Sequence, residues 1–219
     1  MIRFKHVHLV LPVSLFLFII SLPVSAVVVY NNGGPTIFGG HSISGSLRNE
    51  PADNFSLSTA SNINSIGFYI EYSGSEPFWD QGITYNIYSD NNNEPDSLIV
   101  TGTSQSLIVK DSGQPSYSGI AYLAAFNLES TVSLDPGNYW LGLTDAVGSN
   151  AYWVLASPYE EGSSYYRSGD QSFTGREFPF DLAFYLNDEL TAVPLPASVW
   201  LFGSALAGLI VFKRKKRET

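Results

Sequence analysis

The chain has 219 residues, no cysteine, and 11 Lys+Arg against 20 Asp+Glu, a formal charge of −9. Its length suits one β domain plus processing segments, and its 44% hydrophobic and 14% aromatic content excludes a disordered chain. The lack of cysteine excludes a disulfide scaffold, cysteine-ligated metal and a cysteine nucleophile, and the acidic balance argues against nucleic acid as a partner.

The charge divides into three parts. Residues 1–26 carry only Arg3 and Lys5, a charge of +2, and residues 27–192 carry four basic against 19 acidic side chains, a charge of −15. Residues 193–219 carry Lys213, Arg214, Lys215, Lys216 and Arg217 against Glu218, a charge of +4. A strongly acidic domain therefore lies between two cationic, apolar ends, as expected where the ends engage a membrane or a processing enzyme. The first end reads as a secretory signal: Arg3 and Lys5 precede an apolar run from Val7 to Leu22, followed by Pro23-Val24-Ser25-Ala26. Signal peptidase is expected to cut after Ala26, the alternative being an uncleaved anchor helix.

From 27 to 192 the pattern is that of strands. Ile66, Phe68, Ile70 and Tyr72 share one face, with Ser65, Gly67, Tyr69 and Glu71 on the other. Ile83, Tyr85 and Ile87 alternate in the same way, as do Ala124, Phe126 and Leu128, then Tyr139, Leu141 and Leu143. Leu98-Ile99-Val100 and Leu107-Ile108-Val109 are expected to be inner strands, and Phe178, Phe180, Leu182, Phe184 and Leu186 one long closing strand. Asp90–Asp96, Asp111–Pro115 and Asp135–Asn138 supply turn chemistry. Short strands about ten residues apart, without an amphipathic helix, predict an all-β fold: an antiparallel two-sheet sandwich, jelly-roll-like.

Three groups of residues in this domain bear on chemistry. His41 is the one histidine beyond the signal segment, in the Gly/Ser-rich stretch Gly39–Gly45, which reads as a loop; Ser44 stands where a nucleophile elbow needs its second Gly. One histidine cannot build a multi-His metal site, and no carboxylate pair marks a glycosidase, so no enzymatic role and no cofactor are expected. Asp90, Asn92, Glu94 and Asp96 alternate in one loop, a weak candidate for calcium. An EF-hand is excluded there by Pro95 and Thr101 at its sixth and twelfth positions, and a solvated turn is the plainer reading. Trp79, Tyr165 and Tyr166 are candidates for stacking on sugar rings, whereas Trp140 and Trp153 lie in strands and read as core.

The tail carries the most specific signal. Val193, Pro194, Leu195, Pro196, Ala197 and Ser198 form an extended segment, since prolines at alternate positions disfavour a helix. Residues 199–212 are all apolar or small and read as a short transmembrane helix, followed by the basic stop Lys213–Arg217. That helix spans about 21 Å at ~1.5 Å per residue. Snorkelling lysines and Trp200 close the gap to a core of about 30 Å. The plain alternative is a C-terminal anchor that is never processed; a sortase motif is disfavoured because Leu195–Val199 lacks the required Thr and Gly.

Val193-Pro194-Leu195-Pro196-Ala197, with Trp200-Leu201-Phe202-Gly203-Ser204, resembles the PEP-CTERM sorting segment in its VPLPA-x-x-WLFGS variant. Leu195 stands where the usual form has Glu. The resemblance implies export by a Gram-negative bacterium, an inner-membrane intermediate, recognition by a membrane-embedded exosortase, and delivery to the cell surface or an exopolysaccharide matrix. Asp53–Leu57, Ile63–Phe68, Thr84–Asp90, Leu134–Leu141 and Ala151–Trp153 together are similar to the choice-of-anchor sandwich domains found before such tails. The expected organisation is a signal peptide at 1–26, a β-sandwich ectodomain at 27–192 and a sorting tail at 193–219. Its expected role is a surface or matrix component of biofilm, with binding of exopolysaccharide as an alternative and a secreted glycoside hydrolase as a third.

Overall fold

The computed structural model describes residues 27–45, 48–72, 82–145, 150–157, 161–169 and 171–188. The segment 1–26 with Ala26, residues 73–81 with Trp79, and the tail with Val193–Ser198, the 199–212 segment and Lys213–Arg217 lie outside these residues. Among the described residues no helix is long and apolar enough to cross a membrane.

Two antiparallel sheets make the fold. One contains β1 (Val28–Asn31), β2 (Gly34–Ser42), β4 (Ser61–Tyr72), β7 (Gln105–Ser116), β8 (Gly119–Leu134), β10 (Ala151–Ser157) and β13 (Phe184–Asn187). The other runs β12 (Thr174–Phe180), β11 (Glu161–Ser168), β3 (Asn49–Leu57), β9 (Gly137–Asp145), β5 (Ile83–Asp90) and β6 (Pro95–Thr103). In the first sheet the long β4 pairs with β8 along one edge and with β13 and β10 along the other, and β1 and β2 flank these two. The chain passes repeatedly between sheets, so residues distant in sequence share one core.

That core forms where the alternation predicts. Ile66, Phe68 and Ile70 of β4, Ile83, Tyr85 and Ile87 of β5, and Leu141 and Leu143 of β9 are buried in one cluster. Contacts between Tyr85 and Phe126 (ring centroids 6.0 Å apart) and between Tyr30 and Phe55 (5.9 Å) join the sheets. Trp153 packs edge-on against Phe68 and Phe184, and its indole N–H donates to the Ala183 carbonyl (2.9 Å), so a large ring is buried without stranding its polar atom. Each such side chain contributes on the order of 1.5–3 kcal/mol by leaving water.

Two strand expectations need correction. Leu98 and Ile99 lie on β6, an outer strand of its sheet with both side chains exposed, and β7, which holds Leu107–Val109, pairs with β8 alone. An unbroken apolar triplet gives no period, so it cannot distinguish a central strand from an edge. The expected closing strand is two strands in different sheets, β12 and β13. Between them the backbone turns to other partners: the Asp181 carbonyl accepts from Ala156 N–H (2.7 Å), Ala183 N–H donates to the Val154 carbonyl (2.8 Å), and Leu182 N–H donates to the buried Asp53 carboxylate. Leu182, Phe184 and Leu186 all enter the core, so the apolar alternation runs on across the break.

Candidate functional site

The outer face of the β3–β5–β9–β11 region is closed by its own side chains. Trp140 on β9 is fully buried, with Tyr165 of β11 packed edge-on against it at 5.1 Å between centroids. Glu50 on β3, 5% exposed, accepts from Asn86 Nδ2 (2.9 Å) and Tyr88 OH (2.7 Å) at Oε1. Its Oε2 accepts from Arg167 Nε (2.8 Å) and pairs with Arg167 Nη2. The guanidinium lies over the rings of Phe173 (4.8 Å) and Tyr88 (5.4 Å), so aromatic faces shield the ion pair from water. Gly142 leaves the space for this carboxylate, since a Cβ there would collide with Glu50 Oε1.

This arrangement changes the reading of the aromatic candidates. Tyr165 is buried, and its hydroxyl donates to Glu94 Oε1 (3.3 Å), so its ring offers no face to a ligand. Tyr166 is half-buried, its ring stacked on His41 at 6.2 Å. Sequence placed both in a loop. They sit instead in β11, where adjacent residues point to opposite sides of the sheet.

The Asp90–Asp96 segment forms the β5–β6 hairpin turn. Asn92 and Asn93 both have positive φ (57° and 61°), and reciprocal Asn91–Glu94 backbone hydrogen bonds close a two-residue loop that Asn tolerates. The four side chains serve separate partners. Asp90 Oδ1 accepts from Trp140 Nε1 (2.7 Å), Glu94 from Tyr165, Asp96 Oδ2 from Ser97 Oγ (3.0 Å), and Asn92 Nδ2 donates to Asn91 Oδ1 (3.1 Å). Among the described residues no three His, Asp or Glu side chains gather as a metal site.

His41 lies within β2 and is buried, not in the expected loop. Desolvation pushes its imidazole down to about 4, so the ring is neutral at pH 7. Ser164 Oγ lies 3.5 Å from His41 Nε2, but the serine is itself buried, which keeps a substrate carbonyl from reaching it.

A cavity of about 540 Å³ opens beside this histidine, along β2 at the edge of its sheet. Phe38, Gly39, Gly40 and His41 of β2 form one wall, Glu71 and Tyr72 at the end of β4 another. Tyr117 and Ser118, from the turn between β7 and β8, and Tyr152, Leu155 and Phe180 complete it. A bulge shapes the wall: β2 and β10 pair from Ser42 to Gly40 and again at Pro35 and Gly34, with the register shifting between. The intervening residues swell outward, leaving Phe38 59% exposed, and Gly39 turns the chain back at φ 94°, a backbone conformation that a side chain resists. Tyr117, also of the lining, is 78% exposed. Glu71, 5% exposed, accepts at Oε2 from Ser118 N–H and Ser118 Oγ, both at 3.2 Å.

Sequence reasoning passed over this group. Tyr117, in the turn Ser116-Tyr117-Ser118-Gly119, and Phe38, ahead of Gly39-Gly40, were legible as aromatics beside breakers, but nothing in a single sequence brings positions 38, 71 and 117 together.

The PEP-CTERM protein-sorting motif matches residues 192–216. No curated protein matches the chain. The motif identifies an exported protein whose C-terminal segment associates with the membrane, is processed by an exosortase and directs the chain to the cell surface or the extracellular space.

Proposed function

We propose that the chain is a non-enzymatic structural component of a cell surface or biofilm matrix, delivered as a sandwich domain by two successive cuts. Signal peptidase acts after Ala26, and an exosortase acts at or near Pro194–Ser198 on an inner-membrane intermediate of a Gram-negative cell. The observation that carries this reading is the sorting motif at 192–216, beginning four residues after the last described residue of the sandwich. The two cuts remove the cationic ends and leave a domain of about 170 residues with a charge near −15, by the composition of 27–192. Such a charge keeps copies apart in solution and disfavours direct adhesion to polyanions. A bridging cation such as calcium would alter that balance. Intact mass spectrometry of the protein recovered from the cell surface tests the reading: a C-terminus within 193–199 is expected, and recovery of residues 199–219 intact overturns it.

The second reading is binding of exopolysaccharide. The aromatic rim of the cavity favours it, because ring faces stack on the apolar faces of sugars. A glycosidase needs two carboxylates about 5–10 Å apart in one cleft. Among its described lining residues the cavity has one, Glu71.

A further inference from the structure

We propose that the cavity between Phe38 and Tyr117 binds a neutral hexose unit of a polysaccharide. This rests on the surface location in the proposed function and adds to it a site and a ligand class. Three observations select the ligand. The first is shape: about 540 Å³ is room for one or two pyranose rings, and the cavity is open on one side, as a unit within a longer chain requires.

The second is the placement of the rings. Phe38 and Tyr117 are exposed large side chains of the lining, one thrust out by the β2 bulge and the other by a tight turn. The exposed part of each ring leaves apolar surface in water, and the C–H face of a pyranose is flat, weakly polar and of matching size. Tyr152 and Ser118 of the lining carry hydroxyls that both donate and accept, suited to a ligand that presents many hydroxyls.

The third is charge. Glu71 is the single acidic side chain among the described lining residues, His41 is neutral, and those residues include neither Lys nor Arg. Among the described lining residues an anionic sugar would meet a buried carboxylate with no cation beside it, inside an acidic domain. Ser118 fixes that carboxylate through one oxygen, and the other accepts no hydrogen bond among the described residues. It is directed toward Gly39, lying 3.9 Å from where a Cβ there would sit, at the foot of the Phe38 wall. A carboxylate oxygen held in this way accepts from vicinal sugar hydroxyls, which are stronger donors to an anion than to water.

The test uses the full-length chain in detergent micelles, titrated calorimetrically with neutral hexasaccharides of glucose, galactose and mannose. Oligouronates and chitosan oligomers serve as charged comparisons. At least one neutral series is expected to bind with a dissociation constant at or below about 1 mM. Tyr117→Ala and Phe38→Ala, at exposed positions that leave the core untouched, should each weaken it about tenfold. Glu71→Gln should weaken it by a similar factor, because an amide replaces an anionic acceptor. The proposal is overturned by no binding of any neutral probe, by binding that both ring variants leave unchanged, or by preference for oligouronates or chitosan oligomers. It is equally overturned if Trp79→Ala or Tyr166→Ala abolishes binding while Tyr117→Ala does not. The sorting reading is judged separately, from the mass of the released chain, so either can fail alone.

Discussion

Glu50 and Glu71 are equally buried and sit on adjacent strands in sequence, β3 and β4, yet they belong to opposite kinds of surface. Glu50 has both oxygens filled, by Asn86 and Tyr88 on one side and Arg167 on the other, beneath rings that fit closely around the ion pair. Glu71 has one oxygen held by a single serine and a cavity in front of it. The difference lies in the cation: Arg167 closes the charge of Glu50, whereas among the described residues no cation is paired with Glu71, whose carboxylate borders the proposed binding cavity. Burial alone does not distinguish the two.

The comparison can be broken at several points. Trp140→Ala empties the centre of the closed face and is expected to cost about 3–5 kcal/mol, read as a shift in urea midpoint at constant slope. Arg167→Ala should cost about 2–3 kcal/mol, somewhat below a fully buried pair because the arginine is partly exposed. A loss no larger than an ordinary surface substitution would mean that the ion pair does not hold this face together.

Near the cavity the informative variable is pH. The folded-state value of His41, about 4, lies below its ordinary 6.5, so the unfolded chain binds more protons between these values. Its contribution is fully present above pH 6.5 and is lost as pH falls toward 4, about 3 kcal/mol at most. Asp53 opposes this. Burial, then the nearby Asp181 charge, raise its carboxyl well above the usual range, so its contribution declines as pH rises from the ordinary carboxylate value. Urea midpoints measured from pH 4 to 7 should therefore climb less steeply in His41→Gln than in the parent, and more steeply in Asp53→Asn.

Gly142→Ala should cost about 1–3 kcal/mol, since its new methyl group displaces Glu50 from its partners. Thermal unfolding followed by near-ultraviolet circular dichroism, which reports Trp140 packing, would detect it. The smallest expected effect is that of Tyr117→Ala, within about 0.5 kcal/mol in the same assay. A larger loss would place Tyr117 in the structural class with Tyr165.

Much of the fold was legible in the sequence, and the reason is local. A period of two over Ile66–Tyr72 or Tyr139–Leu143 is imposed by the pleat of a single strand, so it marks the buried face wherever that strand pairs. The tail was legible for a similar reason: a sorting enzyme reads contiguous residues, and the matched motif at 192–216 is one continuous stretch. The runs at 98–100 and 107–109 misled because position within a sheet is set by neighbours rather than by the strand itself. Tyr165 and Tyr166 misled because a loop assignment hid that one faces Trp140 and the other His41.

The sequence by itself determined an acidic, all-β chain with two cationic ends and a sorting motif, because charge, period and motif are properties of neighbouring residues. Only the tertiary structure decided which glutamate is closed and which is open. That outcome depends on whether a cation more than a hundred positions away, Arg167 from Glu50, is brought within hydrogen-bond reach.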